Sequence, residues 1–388
     1  MIPRPGYEAA IETALRRGPA CALLGPRQCG KTTLAREIAA RRKSAYFDLE
    51  DPRDAVRLEN PLLALEGLEG LVVLDEIQRN PKLMEVLRVL VDRPGGKASF
   101  LLLGSASPDL VKSASESLAG RVGFVEMAGF DQGEVEDREA LWIRGGFPRS
   151  FLASSEEDSL AWREDFIRTF LERDMPRFGV RIPQETLRRF WTMLAHYHGQ
   201  TWNASTLAGS LGVTGKTVNH YLDVLCGTYM VLRLPPWREN LGKRLVKAPK
   251  VYIRDSGILH ALLGIPGKEA LLGHPKLGAS WEGFALEQVL RILRPFQAYY
   301  WGTHGGAELD LFLPLRGKRY GLEFKWADAP RITRSMKAAL EDLSLDHLWV
   351  IYPGEQEYPL DPRITVLPAS RIGGLAERMG AKKPGSSV

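Results

Sequence analysis

Nine residues near the N-terminus, GPRQCGKTT, set Gly25, Gly30, Lys31 and Thr32 at the spacing G-x-x-x-x-G-K-T. Glycines let such a loop wrap closely, with backbone N–H groups turned toward an anion, and a helix starting at Lys31 adds its positive end. The expected ligand is ATP: the loop from Gly25 through Pro26, Arg27, Gln28, Cys29 and Gly30 to Thr33 holds it, and Lys31 bridges the β- and γ-phosphates. The Thr32 hydroxyl then ligates Mg2+. Downstream, LVVLDEIQ is an apolar run that delivers Asp75 and Glu76 at its end. Asp75 suits magnesium, through water, and Glu76 suits polarisation of the attacking water. A further run, FLLLGSAS, carries Ser105, which either senses the γ-phosphate or simply turns the chain. Arg121, in LAGRV, either stabilises transition-state charge, in its own subunit or a neighbour's, or is a surface arginine.

A second set of acids lies near the C-terminus. Glu282 falls in SWEGFALEQVL, Asp310 in GAELDLFLP, and Glu323 and Lys325 in YGLEFKW. Twelve residues separate Asp310 from Glu323, and one separates Glu323 from Lys325. Carboxylates on two antiparallel strands can converge on one ion, and Glu323 and Lys325 share a strand face because side chains alternate. Hard oxygen ligands of this kind suit Mg2+ or Mn2+. An ammonium nearby can orient water and offset phosphodiester charge. The alternative is a core whose acids form salt bridges.

Between these sets, residues 205–234 read as a helix (Thr206 to Leu211), a turn at Gly212, and a second helix (Lys216 to Cys226) capped by Thr214. Leu207, Leu211, Val218, Leu222 and Leu225 pack the pair as in helix-turn-helix units. The second helix would offer Lys216, Thr217, Asn219 and His220 to a DNA major groove. From Arg233 to Arg254 there are seven basic residues (Arg233, Arg238, Lys243, Arg244, Lys247, Lys250, Arg254) against one acid, Glu239, with Trp237 and Tyr252 interleaved. Such a stretch can neutralise phosphates, Arg238, Lys243 and Arg244 included. It can equally be a solvated face, and the helices a lid or a protein-docking module.

The elements that must position these residues follow from periodicity. A lead-in helix (Tyr7 to Arg17) precedes strands at Ala20 to Leu24, Ser44 to Leu49, Leu71 to Leu74 and Phe100 to Leu103. Helices at Lys31 to Ala40 and Lys82 to Val91 alternate with them, which implies a parallel sheet covered on both faces. From Ser154 to Ala208 the period is helical. A helix (Trp281 to Leu293), strands at Ala298 to Trp301, Glu308 to Pro314 and Tyr320 to Lys325, a helix (Arg331 to Leu343) and a strand (His347 to Tyr352) follow. The expected domains are 1–150, 151–255 and 256–375, with a tail at 376–388.

With 388 residues, 44% apolar and 26% charged, the chain is of a globular kind with room for two or three cores. No apolar run is long enough to span a bilayer, and the N-terminal residues lack a secretion signal. Cys21, Cys29 and Cys226 show no paired spacing, which excludes a disulfide scaffold and suits the cytoplasm. His196 and His198 have no third ligand nearby and read as structural. A net charge of +5 leans mildly toward an anionic partner.

GPRQCGKTTL, LVVLDEIQ, LLLGSAS with SLAGRV, GGFPR (Gly145 to Arg149) and FLERDM (Phe170 to Met175) together resemble a prokaryotic group of AAA-type ATPases, over about Tyr7 to Tyr352. The resemblance implies an α/β chain: a P-loop NTPase parallel-sheet domain, an all-α and winged helix-turn-helix middle, and an α/β restriction-endonuclease-like C-terminal domain. Asp310, Glu323 and Lys325 look like the PD-(D/E)xK signature of nucleases, with Glu282 as the helical acid and Leu309 where proline is usual. Three functions are expected to compete: an ATP-driven DNA-processing protein that binds or cuts DNA, a DNA-remodelling motor without nuclease activity acting as an oligomer, and a nucleotide-switched regulator of protein partners. None involves a membrane.

Overall fold

The structure is a computed structural model that describes residues 2–105, 114–177, 182–239 and 245–380. The chain divides into two compact units, one holding Met1–Gly129 with Gly227–Tyr229, the other Phe130–Cys226 with most of the remaining chain.

The first unit is built on five parallel strands. These are β1 (Ala20–Gly25), β2 (Ser44–Asp48), β3 (Gly70–Asp75), β4 (Ala98–Ser105) and β5 (Val122–Glu126), in the order β2-β3-β4-β1-β5. Every β1 residue is buried. A parallel strand covered on both faces has no solvent side, and so it reads as an unbroken apolar run rather than an alternation. Ala22, Leu24, Phe47, Val72, Leu74, Phe100 and Leu102 join Leu83, Met84 and Leu87 of the helix Leu83–Val91 in one core. Helix α1 (Pro5–Arg17) begins earlier than periodicity suggested, with Pro5 in its first turn, where a missing N–H costs nothing. Helix α2 (Lys31–Ala40) has the expected bounds. The edge strand β5 was not foreseen: of its five residues only Val125 is fully buried, and so it lacks the apolar run that betrays a central strand.

In the second unit, helices Arg138–Arg144, Glu156–Thr169 and Gln184–His196 precede the pair Ala204–Leu211 and Gly215–Gly227. Gly212, at φ +67°, ends the first of that pair in the left-handed conformation that glycine adopts without strain. Three antiparallel strands are ordered β6 (Gln200–Thr201), β8 (Lys250–Ile253), β7 (Val231–Leu234). The six-stranded mixed sheet runs β13 (Tyr358–Asp361), β14 (Ile364–Pro368), β12 (His347–Tyr352), β11 (Lys318–Phe324), β10 (Glu308–Leu315), β9 (Tyr299–Gly302). Strands β9, β10 and β11 are antiparallel neighbours, while β11, β12 and β14 run parallel. Helices Leu277–Leu293 and Arg334–Asp342 accompany this sheet. Two residues between β7 and β8 also meet the sheet: Trp237 N donates to Tyr300 O at 2.6 Å, and Val246 N to Gly302 O at 3.0 Å. Among the described residues no helix is long and apolar enough to cross a membrane.

Candidate functional site

The register of the parallel sheet brings the two chemical segments of the first unit to the same strand ends. Gly25 closes β1, Asp75 closes β3, and α2 starts immediately beyond the loop. A Cβ at Gly25 would lie 2.0 Å from Met127 O, so only glycine lets the loop leave the strand here. Gln28, at φ 62°, and Gly30, at φ +103°, place two left-handed residues inside the turn. Lys31 is buried and donates to Gly25 O at 2.9 Å and Pro26 O at 2.7 Å, so its ammonium lies within the loop. Thr32 Oγ1 donates to Asp75 Oδ2 at 2.8 Å. The first residue after the glycine-lysine pair and the acidic strand tip are therefore in direct contact. Glu76, at φ 54°, adopts a left-handed conformation uncommon outside glycine, and it accepts a hydrogen bond from Gln78 Nε2.

Two residues of this site carried no motif. Tyr46, on β2, donates its hydroxyl to Asp75 Oδ2 at 2.7 Å, and Arg36 lies over its ring at 5.4 Å. Burial and then the Asp75 carboxylate push the phenol well above its ordinary pKa, so it remains a donor. With Glu76 N on Oδ1 at 2.9 Å, Asp75 accepts three hydrogen bonds. Arg4 is buried and donates to Cys29 O at 3.1 Å, Ala128 O at 3.0 Å and Gly129 O at 2.9 Å, fastening the loop to the chain after β5. Neither residue carried a signal in the sequence, since each is placed by contacts between distant segments.

The donors fit a magnesium nucleotide: one hydroxyl and one carboxylate meet beside a buried ammonium and a loop of backbone N–H groups, and magnesium is commonly held by one or two carboxylates with phosphate oxygens. Pro26, Arg27 and Thr33 lie within or beside this loop. The backbone of Ser105 ends β4 opposite Gly25, at the same end of the sheet, while its side chain lies outside the described residues. Arg121 lies elsewhere. It precedes Val122, which pairs with Ala20 at the start of β1, roughly 16 Å of strand away from Gly25. There it makes a bidentate pair with Asp92, at 2.5 Å and 2.9 Å. Its guanidinium is thus engaged at the sheet end opposite Gly25.

In the helix Gly215–Gly227, Lys216, Asn219 and His220 are exposed and Thr217 is half-buried. Asn219 Oδ1 accepts from Trp202 Nε1 at 2.8 Å, and Thr217 joins the Thr214 cap. Among the described residues, the basic stretch that follows is not one continuous face. Arg233 pairs with Asp223 at 2.6 Å, Arg254 pairs with Glu287 at 2.9 Å, and Lys250 is buried among acids. Trp237 packs on Tyr299 and Phe312, and Tyr252 is buried, so neither aromatic is a stacking platform. Arg238 is exposed, with one N–H on Lys247 O at 3.1 Å; Lys243 and Arg244 lie outside the described residues.

The C-terminal acids do converge. Lys325 Nζ lies 2.6 Å from Glu323 Oε2 and 3.9 Å from Asp310 Oδ2. Lys250, reaching in from β8, lies 3.3 Å from Glu282 Oε1 and 3.5 Å from Asp310 Oδ1, and also pairs with Glu308. Tyr252 donates to Glu282 Oε1 at 2.7 Å, and Phe324 N donates to Asp310 Oδ2 at 3.0 Å. Burial, with Asp310 next in weight, holds Glu282 and Glu323 well above the usual carboxylate range. The donor set so disposed does not fit a divalent ion, since Lys250 engages the oxygens of Glu282 and Asp310 and Lys325 those of Glu323. Among the described residues no group of three or more His, Cys, Asp or Glu is arranged to hold a metal.

Comparison with known proteins agrees with the first unit. Residues 17–136 match the family model of an AAA domain, and residues 135–269 and 277–372 match two domains of unknown function, DUF8612 and DUF4143. The first unit is thus a P-loop domain of AAA type. Two relatives, the uncharacterized proteins Mb2031c of Mycobacterium bovis and Rv2008c of Mycobacterium tuberculosis, are each 53% identical over 374 residues, which is 96% of this chain and 85% of theirs. Among solved structures, the Walker-type ATPase paby2304 of Pyrococcus abyssi superposes with a TM-score of 0.48 at 16% identity, covering 68% of this chain and 96% of that one.

Proposed function

We infer the activity from a premise of kinship: this chain belongs to the family of the mycobacterial proteins Mb2031c and Rv2008c, and its first unit is an AAA-type P-loop domain. It hydrolyses ATP. The observation that carries this reading is the 2.8 Å contact between Thr32 and Asp75, which joins the anion loop to the acidic strand tip. The loop N–H groups and Lys31 bind and orient the phosphates. Thr32 and, through water, Asp75 would hold Mg2+, which would supply positive charge beside the phosphates. Glu76 orients the attacking water and accepts its proton as the new P–O bond forms and the bond to ADP breaks. Lys31→Ala is expected to abolish nucleotide binding. Glu76→Gln is expected to bind ATP while turning it over at least about 100-fold more slowly. Both are read by phosphate release beside binding of a fluorescent ATP analogue; undiminished turnover by Glu76→Gln would place the base elsewhere.

Turnover is coupled to DNA held by the helix Gly215–Gly227 of a winged-helix middle region, through Lys216 and His220 with Arg238 on the backbone. Their exposure supports this reading. Of the two DNA readings, remodelling without strand cleavage is favoured, because Lys250 already engages the acids that a cleaving centre would need free. The regulator of protein partners is a second reading, supported by the internal pairing of Arg233 and Arg254. Phosphate release measured with and without linear, single-stranded and branched DNA separates them: stimulation supports the motor, indifference the regulator. Gel analysis of the same DNAs with Mg2+ or Mn2+ tests cleavage, and metal-dependent cutting lost in Asp310→Ala would restore the nuclease.

A further inference from the structure

The acids of the second unit come from three elements: Glu282 from the helix Leu277–Leu293, Glu308 and Asp310 from β10, and Glu323 from β11. The ammonium among them comes from a fourth. Lys250 opens β8, a strand of the separate three-stranded sheet, and its side chain is only 3% exposed. It touches Glu282, Glu308 and Asp310 and lies 5.7 Å from the centre of the Tyr300 ring. Tyr252, two residues on and therefore on the same face of β8, adds its hydroxyl to the same Glu282 oxygen. Further hydrogen bonds run alongside: Tyr300 N donates to Pro235 O at 3.0 Å, and the Tyr300 hydroxyl donates to Ala248 O.

We propose that Lys250 is a built-in cation occupying the position among Glu282, Glu308 and Asp310 that a divalent ion would take, so that this acid cluster is a lysine-filled clasp binding β8 to the six-stranded sheet rather than an open metal centre. The chemistry is one of exclusion. An ammonium and a divalent ion compete for the same carboxylate oxygens, and a tethered ammonium has no translational freedom to lose on binding. A buried charge that loses its partner is strongly destabilising, so the lysine cannot swing out to leave bare carboxylates behind. The ion can enter only where the ammonium is gone.

The test uses the full chain without nucleotide and reads bound Mn2+ by electron paramagnetic resonance. Wild type and Asp310→Asn are expected to bind the same number of Mn2+ ions. Lys250→Met, which keeps an unbranched side chain one atom shorter and without the charge, is expected to bind one more, and Lys250→Met with Asp310→Asn to lose it again. The thermal midpoint of Lys250→Met is expected to fall by several degrees and to recover on addition of Mn2+. Loss of a Mn2+ ion from wild type on Asp310→Asn overturns the proposal, as does a folded Lys250→Met that gains none. Should Lys250→Met fail to fold, the comparison of wild type with Asp310→Asn decides by itself.

Discussion

Asp75 is the residue on which most of the first site converges, and its neighbours determine how it can serve. Three donors, Thr32 Oγ1, Tyr46 OH and Glu76 N, fix the carboxylate in place. With magnesium bound, as proposed, Thr32 would exchange this contact for a ligand role, whereas Tyr46 would keep holding Oδ2. Removing its hydroxyl should cost about 1 kcal/mol of that orientation. Tyr46→Phe is therefore expected to raise the Mg2+ concentration for half-maximal ATP turnover about fivefold, with ATP binding measured without metal unchanged. An unaltered magnesium dependence would show that Thr32 and Glu76 N suffice.

Elements impose a different kind of constraint. Strand β1 must end where the loop begins, and the close approach of Met127 O leaves no room for a side chain at Gly25. Gly25→Ala is expected to lose about 1–3 kcal/mol, seen as a lowered thermal midpoint, together with nucleotide affinity, because strand or loop must shift. A variant as stable as wild type would mean that the segment at Met127 yields freely. The helix Gly215–Gly227 divides its own face: Asn219 is bound to Trp202, while Lys216 is exposed. Lys216→Ala should weaken DNA binding alike across sequences and reduce the slope of log affinity against log salt by about 1. Asn219→Ala should lower stability and leave that slope unchanged. A slope that does not respond to Lys216 removes this helix from the DNA contact.

At the scale of the whole molecule, the buried titratable groups of the second unit govern how stability follows pH. Burial holds His198 down to about 3 and His260 down to about 4, against an ordinary 6.5. Their folded values lie below the unfolded one, so the unfolded chain takes up protons first as pH falls. The stability they contribute is complete above about 6.5 and is lost as pH drops toward 4. By pH 5 each withdraws about 2 kcal/mol. Glu282 and Glu323, raised by burial, act with the opposite sign: their cost to the fold grows as pH rises above the ordinary carboxylate range. In denaturant titrations between pH 6.5 and pH 5, His260→Gln should lose less stability than wild type by about 2 kcal/mol; parallel curves would clear His260 of the effect.

The amino-acid order alone determined the anion loop, the acidic strand tip and the central strands, because each rests on local rules: glycine at set positions, apolar runs where both strand faces are covered, and a short polar end. The convergence of Asp310, Glu323 and Lys325 was legible for the same reason, since strand alternation aims nearby residues at one face. What a charge means was left to tertiary structure. Seven basic residues in a row of twenty-two suggested one anion-binding surface, yet Arg233, Lys250 and Arg254 each meet an acid from another part of the chain. Arg4 and Tyr46 entered the first site, and Arg121 left it, on the same principle. A side chain's partner depends on which distant elements meet, and burial makes that partner decide whether a charge binds a ligand or closes a fold.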